Sequence, residues 1–386
     1  MNDLDFHSSF VSMVRDVFST HDFIPLHAPQ FKGKEKDFVL KALESTYVSS
    51  VGKFVEEFEE ELSQYTGAKF AVATSSGTAA LHTALHLAGV QVGDEVITVP
   101  LTFVATCNAI RYCGGEPVFI DVERKTLGLC PESLSEFLEL HAQVRDDGLC
   151  WNKDSGRIIR ACVPVHNLGH PARIGDISGV CAKYNIHLIE DAAESLGSLD
   201  NGIHTGRTGC FGVLSFNGNK IITTGGGGAL LTDDERLANK AKHYTTTAKL
   251  SHPWLFLHDD VGFNYRLPNI NAALGCGQLE QLNDYIQAKR CLAQRYRDWF
   301  DGVADVEYFS EPIGAQSNYW LNAIFLKNRD VRDQFLEFTN SAGVMTRPMW
   351  TPMHTLPMYE HCQRDALTEA EAIEAQLVSI PSSVIT

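Results

Sequence analysis

Apolar residues recur at helical spacing over 35–47 (EKDFVLKALESTY) and 54–65 (FVEEFEEELSQY), which predicts two amphipathic helices. From Lys69 onward the pattern changes to short apolar runs separated by helical stretches. KFAVAT, DEVITVP, EPVFIDV, IRACVPVH, HLIEDAA, CFGVLSF and GGALLT read as strands. SSGTAALHTALHLAGV opens from a loop into a helix, and TFVATCNAIRYCG and ESLSEFLELHA read as helices. Strand alternating with helix is the pattern of an α/β domain with a largely parallel sheet. After about residue 275 the alternation stops. LEQLNDYIQAKRCLAQRYRDWF predicts one long helix, YWLNAIFL a strand and DVRDQFLEFTNSAG a further helix, together a smaller C-terminal α+β domain. The expected division is an N-terminal extension over 1–23, a large domain over 24–285 and a small domain over 286–386. Within the extension, Val11, Val14, Val17 and Phe18 fall on one face of a short helix.

Length agrees with that division, since 386 residues make two or three domains of ordinary size. Acids outnumber bases, 48 to 32, and the net charge of −16 argues against a general nucleic-acid binder. No apolar stretch approaches the roughly 20 residues of a membrane helix, and the acidic N-terminus lacks the pattern of a secretory signal. The ten cysteines form no CxxC pair, and several sit among small or apolar residues. Reduced, buried thiols are the expectation, and with them a cytoplasmic location.

Four blocks carry candidate chemistry. Ser75-Ser76-Gly77-Thr78 lies between a strand and a helix, where free N–H groups can hold an anion; helix capping by a hydroxyl is the simpler alternative. In HLIEDAAE an apolar strand ends in Glu190 and Asp191, with Glu194 one turn further on. Acids at the carboxyl end of such a strand lie where α/β sheets bind ligands, or are merely turn acids facing solvent. FGVLSFNGNK places Lys220 after a small polar loop and ahead of Gly225 to Gly228, a setting in which a lysine can form a Schiff base. The fourth block, VGFNYRLP, is a polar segment joining two helical regions. Metal chemistry is not expected. His166 and His170 are separated by a glycine and followed by Pro171, and His82 and His86 lack the glutamate of an HExxH site. No GxSxG elbow is present.

Taken together, SSGTAAL, TFVAT, EDAAESLG, SFNGNK with its following glycines and GFNYRLPNINAALG resemble the DegT/DnrJ/EryC1/StrS family of pyridoxal-phosphate-dependent aminotransferases acting on nucleotide-linked keto-sugars. The resemblance runs in order from about Ile24 to the C-terminus. It implies a type I, aspartate-aminotransferase-like fold. It places Lys220 on the Schiff-base lysine and Asp191 on the partner of the pyridine nitrogen. Ser76, Gly77, Thr78 and Ser215 match phosphate-binding positions, and Phe103 matches an aromatic stacked on the cofactor ring. Glu194 matches a position beside the phenolic oxygen; an ionised Glu would repel a phenolate there, so a shared proton or a rotated side chain is expected. Asn264 matches an asparagine that reaches the phosphate from a neighbouring subunit, which implies a homodimer with a composite active site.

The same resemblance implies L-glutamate as amine donor, a pyridoxamine phosphate form of the cofactor, and a UDP- or GDP-linked keto-sugar as acceptor. Arg347, His354 and Tyr359 in TRPMWTPMHTLPMY resemble sugar-pocket positions, against the alternative of a proline-rich structural connection. VSSVGKFVEEFE, EDAAESLG and TTGGGG most resemble the branch that aminates C4 of 2-acetamido-2,6-dideoxy-4-keto-hexoses, in bacillosamine, legionaminic acid and lipopolysaccharide O-antigen pathways. Three other readings stay open. One is a 3-keto-sugar aminotransferase. Another is a sugar dehydratase of the same family, disfavoured because those enzymes replace the lysine with histidine. The last is a cofactor-free regulatory or scaffold module.

Overall fold

The computed structural model describes residues 3–385. Seven strands build the main sheet: β1 (Phe70–Thr74), β2 (Glu95–Thr98), β3 (Glu116–Phe119), β4 (Ile159–Val163), β5 (His187–Asp191), β6 (Phe211–Ser215) and β7 (Gly228–Thr232). Their spatial order is β1-β7-β6-β5-β4-β2-β3. The run β6-β5-β4-β2-β3 is parallel, whereas β7 lies antiparallel to both β1 and β6. The exception has a cause in the chain. Parallel neighbours need a crossover of a dozen or more residues, usually helical. Here the link over 216–227 has no helix, because Phe216 N donates to the Gly227 carbonyl (2.8 Å) and Thr224 N to the Phe216 carbonyl (3.0 Å).

Helices cover both faces. On one, α4 (Gly77–Leu87), α5 (Ala105–Tyr112) and α8 (Glu235–Thr245) pack Leu81, Leu85, Ile110 and Ala241 onto Val96, Val163, Ile189 and Val213. On the other, α3 (Lys53–Thr66) and α9 (Asn269–Leu279) cover Ala71, Leu214 and Leu231, while α6 (Pro131–His141) and α7 (Ile174–Lys183) cover Ile97, Cys162 and Leu188. The two-residue period of a strand therefore decides which way each acid of β5 faces. Ile189 and Asp191 share the α4/α5 side, and Leu188 and Glu190 the opposite one.

A second sheet, β8 (Glu307–Tyr308), β9 (Asn322–Phe325), β10 (Arg347–Pro348) and β11 (Leu377–Ile380), is antiparallel in the order β8-β9-β11-β10. It packs Ile324, Val378 and Ile380 on α10 (Leu282–Phe300) and α11 (Arg329–Ser341). The predicted long helix is α10, which starts three residues later than expected because α9 ends at Leu279 and the chain breaks at Glu280-Gln281. α10 spans both cores, with Tyr285 in that of the main sheet and Leu292, Tyr296 and Phe300 in that of the second.

α1 (Asp3–Phe18) buries Phe6, Phe10 and Val14, and stacks Phe6 on Phe335 at 5.6 Å. Val11, Val17 and Phe18, assigned to its apolar face, are only partly buried against the same core. Ile24 pairs with Val344 of the C-terminal part before the chain reaches the main sheet. None of the ten cysteines is bonded to another. Among the described residues no helix is long and apolar enough to cross a membrane.

Candidate active site

A cavity of about 300 Å³ opens at the carboxyl ends of β5 and β6, against the start of α4. Eight residues singled out in the sequence line it: Ser76, Gly77, Thr78, Phe103, Asp191, Glu194, Ser215 and Lys220. They come from five separate stretches of chain, and only the sheet order brings them together.

The first turn of α4 forms one wall. Ser76 caps the helix, its Oγ accepting from Ala79 N at 3.0 Å, which is the capping alternative. Gly77 and Thr78 hold first-turn positions whose N–H groups have no intrahelical acceptor. Ser215 sits against them, and a Cβ on Gly77 would stand 2.9 Å from the Ser215 Cβ. A Cβ on Gly228 would come within 2.5 Å of Gly77 N. Two glycines thus let β7 and β6 press directly on the helix start.

Asp191 faces the cavity from the end of β5. Its Oδ2 accepts from Thr106 Oγ1 at 2.8 Å, and its Oδ1 from Ala193 N at 3.2 Å. Thr102 Oγ1 lies 2.8 Å from Thr106 Oγ1; with the Thr106 proton given to Asp191, the Thr102 proton points at Thr106. The carboxylate is thereby held in one orientation by a hydroxyl relay from α5. Glu190, its neighbour in sequence, is fully buried on the other face. It accepts from Gly206 N, Thr208 N and Gly209 N and lies 3.0 Å from His166 Nε2. His166 Nδ1 accepts from Ala172 N, so Nε2 carries the proton toward Glu190. Glu190 and His166 are therefore structural. His82, from the other histidine pair, bonds Tyr265 through Nδ1 at 3.2 Å.

Lys220 is nearly enclosed, its side chain 12% exposed. Nζ lies 3.5 Å from Glu194 Oε1 and 4.1 Å from the centre of the Trp320 ring. Glu194 Oε2 accepts from Leu168 N at 2.8 Å. Burial pushes the Glu194 carboxyl above its ordinary range, against the pull of Lys220. Phe103 is 55% exposed at the cavity mouth, 5.7 Å from Trp350, and is not a core residue.

Arg347 is exposed and lines a second cavity of about 360 Å³ that shares Asn219, Trp320 and Trp350 with the first. His354 and Tyr359 line neither. His354 is buried with Nε2 3.6 Å from Glu371, and Tyr359 is buried with its hydroxyl donating to Asn108 Oδ1 at 2.6 Å. Tyr359 thus serves the packing of the C-terminal part on the main-sheet region, while the partner of His354 lies within the C-terminal part itself. Asn264 is exposed and lies outside the cavity of its own chain. Its neighbours are structural: Tyr265 O accepts from Ser75 N at 2.7 Å, and Arg266 pairs with buried Glu59 at 2.7 Å. Trp320, Trp350, Thr106 and Asn219 were not singled out from the sequence, although Thr106 lies in TFVAT, Asn219 in SFNGNK and Trp350 in TRPMWTPMHTLPMY; Trp320 lies outside every such block.

The donor set fits pyridoxal phosphate. A helix start opened by glycines suits the phosphate, a fixed carboxylate suits the ring nitrogen, and an enclosed amine lies within the same cavity.

Comparison with known proteins gives the family. The family model for DegT/DnrJ/EryC1/StrS aminotransferases matches residues 29–385. EpsN of Bacillus subtilis (strain 168) is 37% identical over 341 residues, 88% of this chain and 84% of that one. GDP-perosamine synthase of Escherichia coli O157:H7 is 34% identical over 348 residues, 90% of each chain. Among solved structures, the aminotransferase TlmJ of Streptoalloteichus hindustanus superposes with a TM-score of 0.84 at 26% identity, over 93% of both chains. With the type I fold, the lysine-bearing cavity and a family match over nearly its whole length, the chain belongs to the DegT/DnrJ/EryC1/StrS aminotransferase family and is a pyridoxal-phosphate-dependent sugar aminotransferase.

Proposed function

We propose that the enzyme moves an amino group from L-glutamate to C4 of a nucleotide-linked 4-keto-6-deoxy hexose, with an N-acetylated sugar favoured, and that its cofactor is held covalently on Lys220. The observation that carries this reading is the meeting of Lys220, Asp191 and the α4 start in one enclosed cavity. The relatives support an NDP-sugar acceptor, since one is named for GDP-perosamine synthesis. Lys220 is retained where the family's dehydratases carry histidine, which favours transamination.

Pyridoxal phosphate supplies an aldehyde that can take up an amino group and a ring that withdraws electrons from the reacting carbon. Lys220 Nζ would hold the cofactor through its aldehyde and would serve as the base that moves the proton at the substrate carbon. Asp191, fixed by Thr106 and the Ala193 N–H, keeps a proton on the ring nitrogen. Glu194 offers a proton near the phenolic oxygen. The N–H groups of Gly77 and Thr78 and the Ser215 hydroxyl hold the phosphate. Phe103 covers one ring face. Arg347, on the adjoining cavity, is placed to meet a diphosphate.

Asn264 acts from a second copy in this reading. The hairpin beside it exposes Trp254 (77%) and Phe256 (80%), an apolar surface of the kind subunit contacts cover. Sizing in solution gives a dimer if this is right.

A screen of UDP- and GDP-linked 4-keto sugars with glutamate, read by product mass and 2-oxoglutarate release, tests the function. Ketone-to-amine exchange on one sugar is expected. Glutamate-independent loss of water from the sugar would instead mark a dehydratase. Lys220→Ala should lose the absorbance band near about 420 nm that pyridoxal phosphate gives on the wild type, together with all turnover. Turnover by that variant refutes the lysine assignment.

A further inference from the structure

We propose that Trp320 is the positioning residue for Lys220: its indole N–H pins the peptide ahead of the lysine, and its ring face seats the amine whenever the amine is not engaged. The proposal rests on the reading that Lys220 carries the cofactor.

Trp320 reaches the lysine loop from 101 positions beyond Asn219, just before β9. Its Nε1 donates to the Asn219 carbonyl at 2.7 Å. That carbonyl begins the peptide bond into Lys220, so the bond fixes the direction in which the lysine leaves the turn. Nζ then lies 4.1 Å from the ring centre, the position in which an ammonium is attracted to an indole face. Glu194 Oε1 lies 3.5 Å from the same nitrogen.

The two neighbours of the amine are tied together by one side chain. Asn318 Oδ1 accepts from Trp320 N at 2.7 Å, while Asn318 Nδ2 donates to the carbonyls of Glu194 (3.0 Å) and Leu196 (2.9 Å). Asn318 is itself locked against Gly169. A Cβ there would sit 1.9 Å from Asn318 Oδ1, and Gly169 has a φ of +92° that favours glycine. Trp320 is buried, so neither the ring nor its N–H can drift into solvent. A lysine side chain has several rotors to immobilise. A fixed root and a fixed seat leave the amine aimed into the cavity before any ligand arrives.

The test follows capture of the aldehyde by cofactor-free enzyme. The Lys220 ammonium first gives one proton to solvent; the neutral nitrogen then attacks the aldehyde carbon and C=N forms. The aldehyde oxygen leaves as water with the two amine hydrogens, and borohydride then reduces the link to a stable secondary amine located by peptide mass. Trp320→Phe keeps a ring but loses the N–H, and Trp320→Leu loses both. Trapping at Lys220 should slow about fivefold in Trp320→Phe, the effect of one lost hydrogen bond. It should slow about twentyfold or more in Trp320→Leu. Binding of pyridoxamine phosphate, which has no aldehyde to link, should fall by less than trapping does in each variant, because Trp320 also lines the cavity.

Wild-type trapping rates in Trp320→Leu would overturn the proposal. So would equal losses of trapping and pyridoxamine phosphate binding, which mark a collapsed pocket. If Trp320→Leu does not fold, Trp320→Phe decides alone by the same two measurements. A trapped mass on a lysine other than Lys220 in the wild type would refute the functional reading itself, whatever the Trp320 variants do.

Discussion

Gly228→Ala tests how closely the proposed phosphate seat is built. The added Cβ would stand 2.5 Å from Gly77 N and 2.5 Å from the Ser76 carbonyl carbon. Both are backbone atoms and cannot swing aside. Ordinary contact begins at 3.4 Å, so the start of α4 must withdraw from β7 by about 0.9 Å. Overpacking of this kind costs about 1–3 kcal/mol of stability. The larger effect falls on the ligand. The first-turn N–H groups move away from the place where the phosphate would sit, and one lost hydrogen bond to a charged group is worth about 1.5–3 kcal/mol, or at least tenfold in affinity. Titrating cofactor-free protein with pyridoxal phosphate, followed by the band near about 420 nm, measures the affinity. Thermal unfolding of the same samples measures stability. Gly218→Ala is the control. It lies in the lysine loop with no atom within 4 Å of its Cβ, so both measurements should match wild type. Cofactor affinity within about twofold of wild type in Gly228→Ala, with unchanged unfolding, would show that the contact between β7 and α4 does not set the site.

Three further outcomes are expected. Phe103→Ala should weaken pyridoxal phosphate binding by about three- to tenfold while leaving the melting temperature nearly unchanged, because the ring is half exposed; a large loss of stability would make Phe103 a core residue after all. Burial raises the Glu190 carboxyl, but the His166 bond and the backbone N–H groups outweigh it and hold the group below its ordinary range. Its contribution is therefore present above the unfolded value of about 4.3 and is lost as pH falls through the lower folded value. Urea unfolding should show Glu190→Gln less stable than wild type at neutral pH, with the gap closing on acidification; a gap that widens as pH falls contradicts the assignment. Tyr359→Phe removes one buried hydrogen bond, to Asn108, and should cost about 1 kcal/mol of stability without changing KM for the sugar; a selective rise in KM would restore Tyr359 to the sugar pocket.

The legible part of the site lies where sequence neighbours stay neighbours in space. SSGT opens a helix, EDAAE ends a strand and Lys220 follows one, and each does so in the structure. Strand period also separates Glu190 from Asp191, a distinction open to any reader of HLIED who commits to the strand. Other features left weak signals. α8 buries only Ala238, Ala241 and Thr245 from a largely polar stretch, so its apolar stripe is too faint to read, although Asp234 caps it visibly. His354 and Tyr359 went astray because TRPMWTPMHTLPMY places pocket-lining Arg347 and Trp350 beside residues that turn into the core, and a proline-broken segment has no period to say which is which.

Local pattern, then, determined the strands of the main sheet, most of the helices, the α/β class and the candidate lysine and aspartate, because those depend on periodicity and on residue types at element ends. Tertiary structure alone decided that Trp320 meets Lys220 across 100 positions, that Glu194 is buried against that amine, and that Gly77 and Gly228 touch. Those contacts arise where the order β1-β7-β6-β5 and the docking of the C-terminal part bring distant backbones within van der Waals range, and no sequence period encodes such a distance.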